Sequence, residues 1–147
     1  MSDFFGQFDS TIDPKGRFLL PAGLKKQLDE NDNSFFITRG IDTHLWLYPK
    51  SSWLSIVEKI RSLNRNDPKV ILFLRQFLNG AVEVEMDTAG RVLIQGSLKE
   101  YANLSKDIVL LAVFDKIEIW DSGNYNKLFV NQTTEQFSQL YKDVLGN

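Results

Sequence analysis

The chain has 147 residues, of which 43% are hydrophobic and 24% charged, a composition typical of one compact domain or two small ones. The absence of cysteine excludes disulfides and thiolate metal sites, and no apolar stretch approaches the ~18 residues of a membrane span. The formal net charge of -2 argues against a nucleic-acid partner unless the cations share one face. With no signal-peptide pattern at the N-terminus, we expect a cytoplasmic protein. We also expect no cofactor and no bound metal.

The first 50 residues predict a small β-rich unit. Asp13, Pro14 and Gly16 fit a type I turn closed by a residue in the left-handed region, which would join two strands as a hairpin. Pro21 then opens a short helix that runs to about Leu28. The strands predicted for this unit cover residues 5–12, 18–20, 35–37 and 45–48.

Two amphipathic helices are predicted next. The first follows Ser51-Ser52, and the second begins at Asp67-Pro68 and ends at Asn79-Gly80. Their apolar residues recur at helical spacing, namely Trp53, Ile56, Val57, Ile60 and Leu63, then Val70, Phe73, Leu74 and Phe77. An antiparallel pair of helices would lead the chain from the first unit to a second.

The segment over residues 86–94 repeats the segment over residues 12–20, with aspartate, glycine, arginine and the apolar positions all matching. Asp87 and Gly90 are therefore expected to form a second turn of the same kind. Strands are predicted in this second unit over residues 81–86, 92–94, 108–114 and 117–120. The tail from residue 131 carries apolar residues at helical spacing and predicts either a docked helix or a frayed end.

The order and spacing of several short motifs resemble the MraZ family over roughly residues 4–130. These motifs are Phe5-Gly6-Gln7, Asp13-Pro14-Lys15-Gly16-Arg17 with Pro21-Ala22, Thr38-Arg39-Gly40, Tyr48-Pro49, Phe77-Leu78-Asn79-Gly80-Ala81, and Asp87-Thr88-Ala89-Gly90-Arg91 with Ile117-Glu118-Ile119-Trp120. The resemblance implies a β-rich α+β fold of two AbrB-like swapped-hairpin β-barrel units with two bridging helices. The expected division is 5–50 for the first unit, 51–79 for the bridging helices, 80–123 for the second unit and 124–147 for a helical tail.

The same resemblance implies a function. It points to a nucleoid-associated transcriptional regulator that assembles into ring-like homo-oligomers. Such a regulator would bind short direct repeats of double-stranded DNA in the promoter of the division and cell-wall gene cluster. No membrane partner and no small-molecule substrate are implied.

Arg17, with Lys15 beside it, is the first candidate for DNA contact. Asp13 and Arg17 flank the turn, and an ion pair between them could be a turn clamp worth ~0.2–1 kcal/mol on a surface. On the family reading, Asp13 instead caps the turn and orients Arg17 toward phosphate or guanine O6 and N7. Arg91 either contacts DNA or serves the fold or a subunit contact, and Lys25 either contacts phosphate or lies on a solvated helix face.

An enzyme is not expected, because the chain has no phosphate-binding glycine loop, no paired histidines and no cysteine nucleophile. His44 is the single histidine and has no second ligand nearby in sequence. Arg39, at a strand end beside Gly40, either serves as a contact residue or pairs with Asp42, and the tryptophans are expected in apolar packing. The alternative function is an oligomeric adaptor that uses the same hairpins for protein contacts only, which the acidic composition favours slightly.

Overall fold

The structure, a computed structural model, describes residues 3–146. Over these residues the chain forms eight strands and six helices, and the predicted β-rich α+β class is confirmed. The elements, in chain order, are β1 (Phe4–Thr11), β2 (Arg17–Leu19), α1 (Ala22–Lys25), β3 (Ser34–Arg39), β4 (Leu45–Pro49), α2 (Lys50–Arg61), α3 (Pro68–Leu78), β5 (Val82–Glu85), β6 (Arg91–Leu93), α4 (Gly96–Tyr101), β7 (Asp107–Phe114), β8 (Ile117–Asp121), α5 (Ser122–Lys127) and α6 (Thr134–Leu145).

The strands form a six-stranded antiparallel sheet in the order β1-β7-β8-β4-β3-β5 and a two-stranded antiparallel ribbon, β2-β6. Exchanging each strand with its equivalent in the other repeat, β1 with β5 and so on, reproduces this order from the opposite edge. The sheet therefore has the pseudo-twofold symmetry expected of a duplicated chain. Strand pairing crosses between the repeats at β1–β7, β2–β6, β3–β5 and β4–β8.

Because of this exchange, the two strands of each predicted hairpin pair mainly with strands of the other repeat. The two arms of the first hairpin form a single β-bridge, between Ile12 and Phe18, beyond which β1 pairs with β7 and β2 with β6. Each repeat thus completes its strand pairing with strands of the other. The repeats fold as one interwoven body, because neither has a full set of hydrogen-bond partners by itself.

The core lies between the six-stranded sheet and the ribbon, and equivalent positions of the two repeats fill it. The buried pairs of equivalent residues include Phe18 and Val92, Leu20 and Ile94, Leu24 and Leu98, Leu45 and Ile117, and Leu47 and Ile119. Burial of side chains of this size contributes about 1.5–3 kcal/mol each. The ribbon is therefore held on the core by its inward residues, which leaves its other face outward.

The bridging helices α2 and α3 cover the outer face of the sheet at β3 and β4. Trp53 of α2 stacks on Phe36 at a ring distance of 4.9 Å, and Phe77 of α3 stacks on Trp53 at 5.7 Å. Helix α3 begins after Asp67, whose side chain accepts a hydrogen bond from the backbone N–H of Lys69. Among the described residues, none of the helices combines the length and apolar character that crossing a bilayer requires.

Three details depart from the predicted elements. Helix α1 ends at Lys25, a turn earlier than predicted, and α2 begins at Lys50 after Pro49, so the two serines are not its cap. Helix α5 was not predicted as a separate element, although it overlaps the start of the helical tail expected over residues 124–147. The tail does form a helix, α6, with a capping box at Thr133 and no buried residue; the last residue of the predicted tail, Asn147, lies outside the described residues.

Candidate nucleic-acid interface

The first turn closes over Asp13 and Gly16. The backbone N–H of Gly16 donates to the carbonyl of Asp13 at 2.9 Å, and the N–H of Asp13 donates to the carbonyl of Arg17 at 2.8 Å. Gly16 has a φ of +87°, and a Cβ at this position would lie 3.1 Å from the carbonyl oxygen of Ile94. Only glycine adopts this conformation without strain, and the close backbone leaves little room for a side chain.

The second turn has the same geometry. The N–H of Gly90 donates to the carbonyl of Asp87 at 2.9 Å, and the N–H of Asp87 donates to the carbonyl of Arg91 at 2.9 Å. Gly90 has a φ of +85°. The two turns are therefore structural duplicates, although Thr88-Ala89 replaces Pro14-Lys15.

In each turn the aspartate holds the arginine side chain. Asp13 accepts hydrogen bonds on Oδ1 from the backbone N–H groups of Lys15 and Arg17, and on Oδ2 from Nε of Arg17, all at 2.9 Å. Asp87 binds Nε of Arg91 in the same way at 3.0 Å. The backbone N–H of Arg17 holds the pKa of the Asp13 carboxyl below its usual value of 3.8, and that of Arg91 does the same for Asp87.

This contact engages Nε alone. Within residues 3–146, the terminal guanidinium nitrogens of Arg17 and Arg91 make no hydrogen bond. Their side chains are 28% and 38% exposed. The arginine can therefore both clamp the turn and bind a ligand. The aspartate binds Nε, and the two terminal guanidinium nitrogens remain available as donors.

The ribbon brings both arginines onto one face. In its register, Arg17 lies opposite Leu93, and Leu19 lies opposite Arg91. Because alternate residues of a strand share a face, these four side chains point away from the core, into which Phe18 and its neighbours point. Arg17 and Arg91 are therefore diagonal neighbours across the two strands, and such neighbours lie about 7–8 Å apart.

Two residues of this face, Leu19 and Leu93, were missed in the sequence. They are 55% and 44% exposed, although both lie in apolar stretches. The signal was the strand alternation, which places residue 19 on the same side as residue 17. An exposed leucine between two arginines adds an apolar contact surface to the charged one.

The lysines lie beside the turns. Lys15 is exposed within the first turn, and Lys25 of α1 reaches the second turn, where its Nζ lies 3.4 Å from the position a Cβ on Gly90 would take. The second turn thereby gains a neighbouring cation that its own residues do not supply. The face around the ribbon therefore combines Lys15, Arg17, Lys25 and Arg91 with the two turn aspartates.

Other residues considered in the sequence lie elsewhere. Arg39 lies over the ring of Tyr101 at 4.8 Å and is not paired with Asp42. His44 is 1% exposed and stacks on Trp120 at 4.7 Å. Within residues 3–146, no group of three or more potential ligands could hold a metal ion.

The fold and the duplicated turns define a class, that of two-repeat α+β proteins whose strands are exchanged between the repeats. A family model described as "MraZ protein, putative antitoxin-like" matches the chain in two successive segments, residues 4–76 and 77–146. The chain belongs to the MraZ family, with two repeats, as its motifs predicted. This antitoxin-like family is of the regulator type and is not known for catalysis.

Proposed function

We propose that the protein is a sequence-specific DNA-binding transcriptional regulator that contacts double-stranded DNA through the β2–β6 ribbon. The observation that carries this proposal is that Arg17 and Arg91 lie on the same outward face of the ribbon. An aspartate binds Nε of each arginine, and the terminal nitrogens make no hydrogen bond within the described residues. Arginine donors in this state match the O6 and N7 acceptors of guanine, as well as phosphate oxygens.

The shape of the ribbon supports the same proposal. A two-stranded antiparallel ribbon fits the major groove, which is about 12 Å wide. Leu19 and Leu93 lie on the face with the arginines and could contact thymine methyl groups. Lys15 and Lys25 lie beside the turns, where phosphate contacts would position the ribbon.

An acidic chain can bind DNA in this way if several subunits act together. The proposed regulator assembles as a homo-oligomer and binds direct repeats in the promoter of the division and cell-wall gene cluster, in the cytoplasm on the nucleoid. Lys15 belongs to the first turn only, so the charge pattern of the ribbon has a direction, and repeated boxes would be read in one orientation. Linked contacts then supply the phosphate neutralisation that one acidic protomer lacks.

The test is a fluorescence anisotropy titration with the promoter of the protein's own operon, repeated from low to high salt. We expect affinity to fall steeply with salt, by a log–log slope of about 0.9 for each phosphate contact. The variants Arg17→Ala and Arg91→Ala should weaken binding, whereas Arg65→Ala, which removes an exposed arginine away from the ribbon, should not.

The adaptor function remains the second candidate, and helix α6 favours it. This helix exposes Phe137, Leu140, Tyr141, Val144 and Leu145 on a chain with a net charge of -2. Apolar protein contacts do not weaken as ionic strength rises, so a promoter that shows no binding at any salt concentration would support the adaptor.

A further inference from the structure

A cavity of about 640 Å³ lies beside α3 and shares no residue with the ribbon. Its walls combine both repeats and include five aromatic side chains. Trp46 and Tyr48 come from β4, Phe73 from α3, Tyr101 from the end of α4 and Lys116 from the turn between β7 and β8. A cavity of this size and character suits a small ligand with an apolar body.

The charged residues of the cavity are cations. The guanidinium carbon of Arg39 lies 4.8 Å from the ring centre of Tyr101, and Nζ of Lys116 lies 5.2 Å from that of Trp46. None of the described lining residues is a carboxylate. Lys116 reaches Asp115 at 3.5 Å, but Arg39 has no ion pair within residues 3–146.

The same wall holds donors without acceptors. Of the buried side-chain nitrogens and oxygens described, the two that lack a hydrogen-bond partner are Nε of Arg39 and Nε1 of Trp46. The hydroxyl of Tyr48, which lines the cavity, also makes no hydrogen bond within the described residues, but its oxygen is not one of these fully buried atoms. Burial, together with the charge of Asp115, raises the pKa of this hydroxyl, which is protonated and able to donate at neutral pH as any tyrosine is. Buried donors without an acceptor cost free energy, which an incoming acceptor would recover.

We propose that this cavity binds a small amphipathic anion, with an aromatic body between the rings and a carboxylate at Arg39, Tyr48 and Lys116. The carboxylate accepts from the guanidinium, the hydroxyl and the ammonium, which are all donors. An aromatic body packs against Trp46 and Phe73. This binding does not depend on the proposed DNA contact, because the two sites share no residue.

The probe is 1-naphthoate, titrated into the protein by calorimetry without DNA, with 1-naphthylmethylamine as the ligand of equal shape and opposite charge. We expect naphthoate to bind with a Kd below about 1 mM and the amine to bind more weakly. Arg39→Gln should raise the Kd of naphthoate about tenfold, and Tyr48→Phe about fivefold. Arg65→Gln and Tyr141→Phe, which make the same changes at exposed positions, should leave it unchanged.

A second readout uses the unmodified chain, whose three tryptophans give three indole N–H signals in nitrogen-15 NMR. Naphthoate should shift the signal that Trp46→Phe removes and leave the Trp53 signal in place. Equal affinity for the naphthoate and the amine, or no shift of the Trp46 signal, would overturn the proposal. A Kd that rises with protein concentration would also overturn it, in favour of a second copy of the chain as the occupant.

Discussion

At the scale of single residues, the aspartate of each turn has two tasks that the sequence presented as alternatives. Asp13 satisfies two backbone N–H groups and also binds Nε of Arg17. An exposed ion pair of this kind stabilises a protein little, but it restricts the arginine to one orientation. A donor that is already oriented loses less conformational entropy on binding, so the clamp favours recognition more than stability.

The first prediction concerns Arg17. Arg17→Ala should weaken promoter binding by about tenfold or more, because a bidentate contact to guanine contributes ~1–3 kcal/mol. Thermal unfolding should change little, since the side chain is partly exposed and its ion pair contributes little. Arg17→Lys should recover only part of the affinity, as lysine keeps the charge but lacks the fork. If the melting temperature falls sharply while the folded variant keeps full affinity, Arg17 acts as a turn clamp only.

A second prediction concerns Gly16. Gly16→Val should lower the free energy of unfolding by at least about 1–2 kcal/mol, because a β-branched residue is strained at a φ of +87°. The nearby carbonyl of Ile94 adds a close contact. Gly96→Ala is the control, since nothing lies within 4 Å of its Cβ position and its φ is not positive. Chemical denaturation measures both variants, and an unchanged midpoint for Gly16→Val would contradict the turn geometry.

At the scale of elements, the β2–β6 ribbon makes the two turns equivalent parts of one surface. Comparison of the two turn motifs favoured Arg17 over Arg91 as a DNA contact, because Thr88-Ala89 lacks the lysine and proline of the first turn. In the fold, Lys25 from the other repeat lies beside the second turn. Strand exchange thus supplies a cation near the second turn, although from a helix and not from the turn itself.

The third prediction follows from this equivalence. Arg91→Ala should weaken promoter binding to a degree comparable with Arg17→Ala, and the double variant should lose affinity further. Both single variants should keep the unfolding transition of the unmodified protein. Anisotropy titrations at one salt concentration measure the affinities. A normal affinity for Arg91→Ala, together with a lowered melting temperature, would assign Arg91 to the fold.

The strands, the two turns and the bridging helices were predictable because each depends on local patterns, such as the Asp-x-x-Gly turn and the apolar spacing of α3. Local patterns do not predict the pairing of β2 with β6, because both hairpins have the same pattern whether they pair within or between repeats; the resemblance to the family implied swapped hairpins, but not this register. The position of Lys25 beside Gly90 follows from that pairing. As a separate element, helix α5 also escaped prediction, since its six residues include one buried side chain and no apolar period.

At the scale of the whole molecule, the buried His44 links stability to pH. Burial lowers its pKa below 6.5, although Glu118 and Asp42 oppose this shift. The unfolded chain therefore binds a proton at a higher pH than the folded chain does. Stability from this group is complete above about pH 6.5 and is lost as the pH falls toward the lower pKa of the folded state.

The fourth prediction is a loss of stability on acidification that His44 causes. The urea midpoint should fall as the pH is lowered from about 7.5 to 5, the range that includes the pKa of an unfolded histidine. His44→Gln should be less stable at neutral pH, because it loses the ring contact with Trp120, but its midpoint should vary less over the same range. An equal pH dependence in both proteins would assign the effect to other groups.

The last prediction concerns how many ribbons must bind at once. One ribbon offers few cations on a chain with a net charge of -2, so a single DNA box should be held weakly. Neighbouring subunits that present the same ribbon in one orientation reach the same side of the duplex when boxes recur at ~10 bp or a multiple of it. The second contact is then intramolecular and can raise affinity by ~10²–10⁴.

Inserting ~5 bp between two boxes should therefore largely abolish tight binding, because it turns the second box to the opposite side of the duplex. Gel-shift titrations with one box, two phased boxes and two shifted boxes measure this, and equal affinity for all three would exclude binding through linked ribbons.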